Sequence, residues 1–353
     1  MMKFGIFDHV MGRPDAGPHS TLEEHLEQVE EADGLNFDYY FVAEHHARGE
    51  FNTTPSPNCF ISAASQRTRR IRLGPLVLMV PLYHPIRILE EISMMDQLTN
   101  GRLEVGIGYG TGPRELQPYG VDPEKKLAMM LEAIAMLKKI WKEGGVDHEG
   151  EFYRSLNSGL PIPTTIQKPH PPLWYPCNSV GAIPWAAENN MAVPALTTFQ
   201  DYRSRLRGMF DLYKSKWRSS PEFPNRPPLA FSSVIYVGET DSEARREAIE
   251  DLRRFWRIWS DTSSKKTVNP ELKSRLSSLV DYDYDDDTEG RIIVGNSKTV
   301  ASHLSSIFRD TGADCFLGEF AFGYLPHRKV LKSLKLFSDE VVPALLDKMS
   351  IEK

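Results

Sequence analysis

The chain has 353 residues, of which 41% are hydrophobic, and carries a formal net charge of -6. That is enough apolar material for one large core or two ordinary ones, and the acidic balance, with no basic stripe, argues against a nucleic-acid footprint. Its three cysteines, Cys59, Cys177 and Cys315, fit neither a disulfide framework nor a zinc knuckle. No apolar run approaches the ~20 residues of a membrane span, and the first residues lack signal-peptide anatomy, so a soluble cytoplasmic protein is expected.

Lys3–Phe7 reads as a short apolar strand running into Asp8 and His9. Pro14 and Gly17 mark a loop, and Thr21 with Glu24 predicts a capping box for a helix to about Gly34. The next strand, from Asp38, is apolar and aromatic without alternation, as a strand buried on both faces would be, and stops in Glu44, His45 and His46. Three such groups left unpaired in a core would be costly, so the cluster is expected at the open end of the strand, in a pocket. Pro55 and Pro57 precede a helix carrying Ile61, Ala64 and Ser65. A third strand, Ile71–Val80, ends in Pro81, Tyr83 and His84. Pro85 then opens a helix that Asn100-Gly101 caps. Leu103–Ile107 is a fourth strand, opening into Gly108-Tyr109-Gly110-Thr111-Gly112. Asp122-Pro123 starts a helix whose apolar face is Leu127, Leu131, Ile134, Leu137 and Trp141.

The pattern breaks from Gly144 to Pro172, apart from a short strand at Phe152-Tyr153. A fifth strand, Pro172–Cys177, meets Asn178 and Ser179 at the start of a helix. Ala192–Leu196 is a sixth, followed by a helix to about Trp217, and Ala230–Val237 a seventh, after which Thr240 and Glu243 cap a helix. Ser260–Gly290 is polar and holds the acidic run Asp281 to Glu289, which reads as a solvated insertion or as a mobile lid. A helix from about Ser297, an eighth strand at Cys315–Phe320 and a terminal helix through Leu336 follow.

Eight strands alternating with helices predict a single-domain parallel (β/α)8 barrel of the TIM type over 1–353, with insertions at about 145–170 and 260–290. An open doubly wound sheet is the alternative, but no Gly-x-Gly-x-x-Gly follows the first strand. In a barrel the strand ends converge, so Asp8, Glu44, His45, His84, Tyr109, Asn178 and Ser179 are expected to face one mouth. A metal hydrolase is disfavoured, because adjacent His45 and His46 point to opposite sides of an extended backbone and cannot share an ion. A phosphorylated cofactor fits better: the Gly108–Gly112 turn offers unobstructed amides, and Asn178-Ser179 at a helix start offers an anion site with two side-chain donors.

At these residues the chain resembles the bacterial luciferase-like flavin-dependent monooxygenases, from its first strand to its terminal helix. The matching pieces are Met2-Lys3-Phe4-Gly5, Glu44-His45-His46, Pro81 with His84-Pro85, Asp96-Gln97 ahead of Gly101-Arg102, and Gly106-Ile107. Trp185-Ala186-Ala187-Glu188 and Leu336-Phe337-Ser338 with Val341 and Pro343 complete the series. The resemblance implies FMN, reduced by a separate flavin reductase, lying across the mouth. There O2 would form a flavin hydroperoxide that oxidises a small organic substrate. It also implies that His45 is catalytic, with Glu44 beside it. An imidazole with an ordinary pKa near 6.5 suits proton transfer at such a centre. Leu76 and Val77 match a segment under the flavin ring. Gly108, Tyr109, Gly110, Asn178 and Ser179 match positions that hold FMN and its phosphate.

There are departures from bacterial luciferase: Tyr109 replaces a phosphate-binding arginine, Asn178 a glutamate and Ala182 a threonine. Two other readings stay open within the resemblance, a deazaflavin-dependent dehydrogenase that transfers hydride and a non-catalytic flavin-binding protein. The resemblance further implies a homodimer through the helices after the second and third strands, where Ile92, Met94 and Met95 supply apolar material.

Overall fold

The sheet is built from strands that are buried along their length. The computed structural model describes residues 2–47, 53–110, 112–145, 147–156, 163–177, 179–197, 201–263, 279–280 and 292–351. β1 (Lys3–Asp8) pairs in parallel with β2 (Tyr39–Val42), and β2 with β3 (Arg72–Pro75). On its other side β1 pairs with β12 (Cys315–Glu319), β12 with β10 (Leu229–Val237), and β10 with both β9 (Val193–Leu196) and β11 (Ile293–Gly295). A second parallel group joins β4 (Leu78–Met79), β5 (Val105–Gly108) and β8 (Leu173–Trp174). Parallel bridges at Leu73–Leu103 and Trp174–Ala192 connect the two groups. The result is an α/β fold with a curled parallel sheet.

Alternation along the strands sorts the side chains into two layers. Tyr39, Phe41, Leu76, Trp174, Ala230 and Leu317 form an inner cluster that the sheet encloses. Tyr40, Val42, Phe4 and Ile6 belong to the larger cluster between sheet and helices. Burying an aromatic or aliphatic side chain of this size contributes about 1.5–3 kcal/mol.

The helices outside the sheet are α1 (Pro18–Gly34), α2 (Pro57–Arg67), α3 (Pro85–Leu98), α5 (Lys126–Glu143), α6 (Ile183–Glu188), α7 (Tyr202–Lys216) and α8 (Asp241–Ser263). With them belong α9 (Ser297–Thr311), α10 (His327–Leu336) and α11 (Val342–Ile351). The short α4 (Pro113–Leu116) instead follows the glycine turn. No described helix is long and apolar enough to cross a membrane.

The two ends of the sheet differ chemically. At the strand starts, carboxylates on the preceding residue bind backbone or side-chain donors. Asp38 accepts from Lys3 Nζ at 2.6 Å and the Phe4 amide at 2.9 Å. Asp314 accepts from the Leu229 amide at 2.8 Å. Glu104 pairs with Arg72 and accepts from the Trp174 indole at 2.6 Å. At the strand ends polar side chains also meet one another, and there the histidine cluster sits.

Several local expectations need correction. The third strand is two short pieces, β3 and β4, separated by Leu76 and Val77. Helix α1 starts at Pro18 with Gly17 as its cap, so Thr21 lies inside it and Glu24 pairs with Arg13 rather than closing a capping box. On α5 the buried face runs through Met130, Ile134, Leu137 and Ile140, while Leu127 and Leu131 are exposed. In place of a strand at Phe152-Tyr153 there is a hairpin of β6 (Asp147–Glu149) and β7 (Arg154–Leu156). Strand β11 is additional. Within 260–290, α8 continues to Ser263 and Leu279 is buried in the main core. The acidic run Asp281 to Glu289 lies outside the described residues.

Candidate active site

The alternation of β2 carries on past its end. His45 keeps the inner-facing phase of Tyr39 and Phe41, while Glu44 and His46 keep the phase of Tyr40 and Val42. Their partners differ accordingly. Nδ1 of His45 lies 3.0 Å from Oε1 of Glu115, on α4, and its Nε2 lies 3.1 Å from Nδ1 of His9. The rings of His9 and His45 stack with centroids 5.2 Å apart. His46 instead approaches Glu44 at 2.8 Å through Nε2 and the Tyr119 hydroxyl at 2.9 Å through Nδ1. The two adjacent imidazoles therefore have different side-chain partners, as their opposed directions predict, although the His46 backbone amide also donates to Oε1 of Glu115 at 3.4 Å.

Glu44 is tied to scaffold. Its carboxylate accepts from the Met79 amide and from the Tyr83 hydroxyl, each at 2.8 Å, besides meeting His46. It thus anchors β4 and the turn that follows, and Glu115 is the carboxylate on His45. Burial and the Glu44 charge push the Tyr83 phenol well above its ordinary pKa, so it stays a donor.

Two residues expected at the mouth lie elsewhere. Asp8 faces the helix layer, where it accepts from the Tyr40 hydroxyl at 2.5 Å and the Val10 amide at 2.8 Å and lies 2.7 Å from His25 Nδ1 on α1. The adjacent position, His9, takes the place assigned to it. His84 is exposed and accepts from the Ile86 amide at 3.3 Å, which makes it the cap of α3.

The glycine turn follows β5 on the same end of the sheet. A Cβ on Gly108 would come within 2.5 Å of Val77 Cγ2, so only glycine lets β5 lie against the Leu76–Val77 segment. Gly110 has φ +77, and a Cβ there would press on the Met79 methyl. The ammonium of Lys126, the first residue of α5, stands 4.9 Å over the Tyr109 ring and donates to the Gly110 carbonyl at 3.2 Å. Burial lowers the Lys126 pKa, while Glu115 and Glu124 oppose that shift. Lys126 has no ion-pair partner among the described residues. Strand β8 runs parallel to β5, with Val105 opposite Leu173 and Gly106 opposite Trp174. Ser179 therefore leaves the neighbouring strand at the same end; it is exposed, and its side chain makes no capping bond. Asn178 and Thr111 lie outside the described residues.

Above the histidine pair, Trp259 of α8 meets both rings edge-on, His9 at 5.3 Å and His45 at 5.6 Å. Sequence reasoning missed His9, Glu115, Lys126 and Trp259. For His9 a signal was present, since it continues the inner phase of Phe7. Glu115 and Lys126 look like ordinary residues at helix starts, and nothing local marks them.

This set couples an imidazole pair to buried carboxylates beside a glycine turn with a lysine cation. Those are means for moving a proton and holding an anion. The luciferase-like monooxygenase family model matches residues 2–315. Uncharacterized protein y4wF of Sinorhizobium fredii is 32% identical over 329 residues, which cover 92% of each chain. The oxygenase component of the flavin-dependent trigonelline monooxygenase of Acinetobacter baylyi is 28% identical, over 78% of this chain and 76% of that one. Among solved structures, the oxygenating constituent of 3,6-diketocamphane monooxygenase from Pseudomonas putida, in complex with FMN, superposes with a TM-score of 0.76. That match has 22% identity over 97% of this chain and 98% of the other. The match spans nearly the whole length and includes the strand ends that carry the histidines and the glycine turn: the chain belongs to the luciferase-like monooxygenase family.

Proposed function

We propose that this protein is a flavin-dependent monooxygenase that uses reduced FMN, delivered by a separate reductase, and O2 to oxidise a small organic substrate. The observation that carries this reading is His45, held between Glu115 and His9 on the end of the sheet that also bears the glycine turn and Lys126. The relatives named as trigonelline and 3,6-diketocamphane monooxygenases support the general chemistry. We read the curled sheet as a (β/α)8 barrel, with the Leu73–Leu103 and Trp174–Ala192 bridges joining its two groups into a ring.

The residues present fit a flavin phosphate. Lys126 supplies a cation where the expected arginine is replaced by Tyr109. Gly108 and Gly110 keep the turn free of side chains, and Ser179, with Asn178 beside it, supplies donors at a helix start. Leu76 and Val77, packed with Phe7 and Phe41, offer an apolar floor. A reduced flavin held there would supply the electron pair for the activation of dioxygen. His45 holds or moves a proton there through its ring nitrogens, with Glu115 fixing its orientation. Glu44 keeps β4 in register beneath the site, and Trp259 helps exclude water from the histidine pair. A homodimer is part of the reading, because α3 exposes Met94 and Leu98 while Ile92 and Met95 are buried in the core.

Anaerobic titration with reduced FMN, reduced riboflavin and a reduced deazaflavin, followed by mixing with O2, tests the assignment. Reduced FMN should bind tighter than riboflavin, and its reoxidation should differ in rate and spectrum from that of free flavin. A preference for deazaflavin with no response to oxygen, or binding that leaves reoxidation as it is in solution, would overturn it.

A further inference from the structure

The chain turns sharply one residue after His9. Val10 has φ +48, in the left-handed region, and its side chain is fully buried in the core between sheet and helices. That conformation is costly for any residue with a Cβ, and most of all for a β-branched one. Among the described residues the other non-glycine positions with positive φ are Asn36, Asn100 and Asn190, which tolerate it, and the exposed Ala47. Val10 is thus the β-branched case, and it adjoins a ring of the candidate active site. Strain at such a place persists only where the surroundings hold it.

The holding contacts are specific. Oδ1 of Asp8 accepts from the Val10 amide at 2.8 Å, an Asx turn with His9 as its middle residue. The Val10 carbonyl accepts from Thr53 Oγ1 at 2.5 Å. The other oxygen of Asp8 is fixed in turn by the Tyr40 hydroxyl at 2.5 Å and by Nδ1 of His25, on α1, at 2.7 Å. The backbone of His9 is therefore clamped from both sides, and its Nδ1 is set 3.1 Å from Nε2 of His45. The rings of Phe7 and Trp259 flank it, with centroids at 4.7 Å and 5.3 Å. An extended Val10 would open the Asx turn and release the His9 backbone.

We propose that Asp8 is a positioning residue for His9: by holding Val10 in the left-handed region, its side chain sets the direction in which the His9 ring meets His45. Asp8 acts from the helix layer, through the backbone. What the turn requires of it is an acceptor oxygen at this spot, not a negative charge. The effect on turnover rests on the oxygenase reading; the placement of the ring does not.

Proton NMR of the flavin-free chain reads the placement, because the neighbouring Phe7 and Trp259 rings shift the His9 ring signals, which His9→Gln assigns. Asp8→Ala should move these signals toward unstructured values. It should also slow product formation from reduced FMN by about a hundredfold, the scale of a misplaced group, with FMN affinity retained. Asp8→Asn keeps an oxygen for the Val10 amide and should restore the signals and most of the turnover. Adding Val10→Gly to Asp8→Ala should restore both in part, since glycine takes a positive φ without support. Denaturant unfolding of that double variant should nevertheless show a further loss of stability, because the buried isopropyl group is gone. A purely structural role would not set activity against stability in this way. If Asp8→Ala does not fold, Thr53→Val removes the bond at the Val10 carbonyl and serves in its place, with the same rescue by Val10→Gly. An Asp8→Asn variant as impaired as Asp8→Ala would make charge the requirement and overturn the proposal. So would unmoved His9 signals in Asp8→Ala, or no recovery with Val10→Gly. Signals that follow the expected pattern in a chain that never oxygenates with reduced FMN support the placement and sink the functional reading instead.

Discussion

The ammonium of Lys126 stands 4.9 Å over the Tyr109 ring while donating to the Gly110 carbonyl at 3.2 Å. One cation thus covers the turn at which the expected arginine is missing. A hydrogen bond to a charged group contributes about 1.5–3 kcal/mol. Lys126→Met should accordingly weaken FMN binding by about tenfold to a hundredfold and leave riboflavin, which lacks the phosphate, nearly unaffected. Equal losses for both ligands would show that Lys126 acts on the turn and not on the phosphate.

Gly110→Val puts a β-branched residue on a backbone at φ +77 and brings its Cβ against the Met79 methyl, which must swing aside. A loss of about 1–3 kcal/mol in stability is expected from the strained backbone alone, with FMN binding weakened as the turn shifts. Ser179→Asp should leave stability unchanged and reduce FMN binding by charge repulsion. Denaturant unfolding beside FMN titration separates the two, and unaltered FMN affinity in both variants would place the phosphate elsewhere.

Glu115→Gln keeps the shape but removes the charge that orients His45. Reduced FMN should still bind, while product formation falls by about a hundredfold or more, the usual scale of a general acid–base contribution. His45→Ala should behave in the same way. Normal turnover in His45→Ala would remove the imidazole from the chemistry.

The buried Glu319 also makes a prediction about stability. Burial, with the charge of Asp8 adding to it, pushes its carboxyl up to about 8 in the folded chain, against the ordinary 4.5 when unfolded. Between those values the native state holds a proton that the unfolded state has lost, so this group makes stability fall with rising pH, by up to about 1.4 kcal/mol per unit. Below 4.5 its effect vanishes. Glu319→Gln should therefore gain on the native protein as pH rises through that window. A constant difference between the two proteins would refute the assignment.

For the homodimer, Met94 is 60% and Leu98 44% exposed on α3. Replacing both by glutamate should convert a dimer to a folded monomer in sedimentation. A native chain that is already monomeric at micromolar concentration ends the idea.

The strands were legible because burial on both faces leaves nearly unbroken apolar runs, as in Tyr39–Val42, and because the runs stop at polar residues or glycine. The phase of those residues was harder to read. Asp8 and His9 are neighbours, and one step in register decides which faces α1 and which faces His45. Glu115 and Lys126 could not be found from strand patterns at all, since they reach the site from short elements after the glycine turn. The break in the third strand left no trace either, because Leu76 and Val77 are as apolar as the residues on each side.

Trp259 gives this site an intrinsic optical reporter. A charged imidazole beside an indole quenches its fluorescence, and Trp259 touches the rings of both His9 and His45. Changes in the charge of that pair should therefore register as emission changes in an unlabelled chain on a stopped-flow timescale. Of the six tryptophans, Trp141 also lies against a histidine, His170, at 4.6 Å. Burial holds the His170 pKa below its ordinary value, so the signal from Trp141 should appear on the acid side, and Trp259→Phe would identify which signal belongs to the active-site pair.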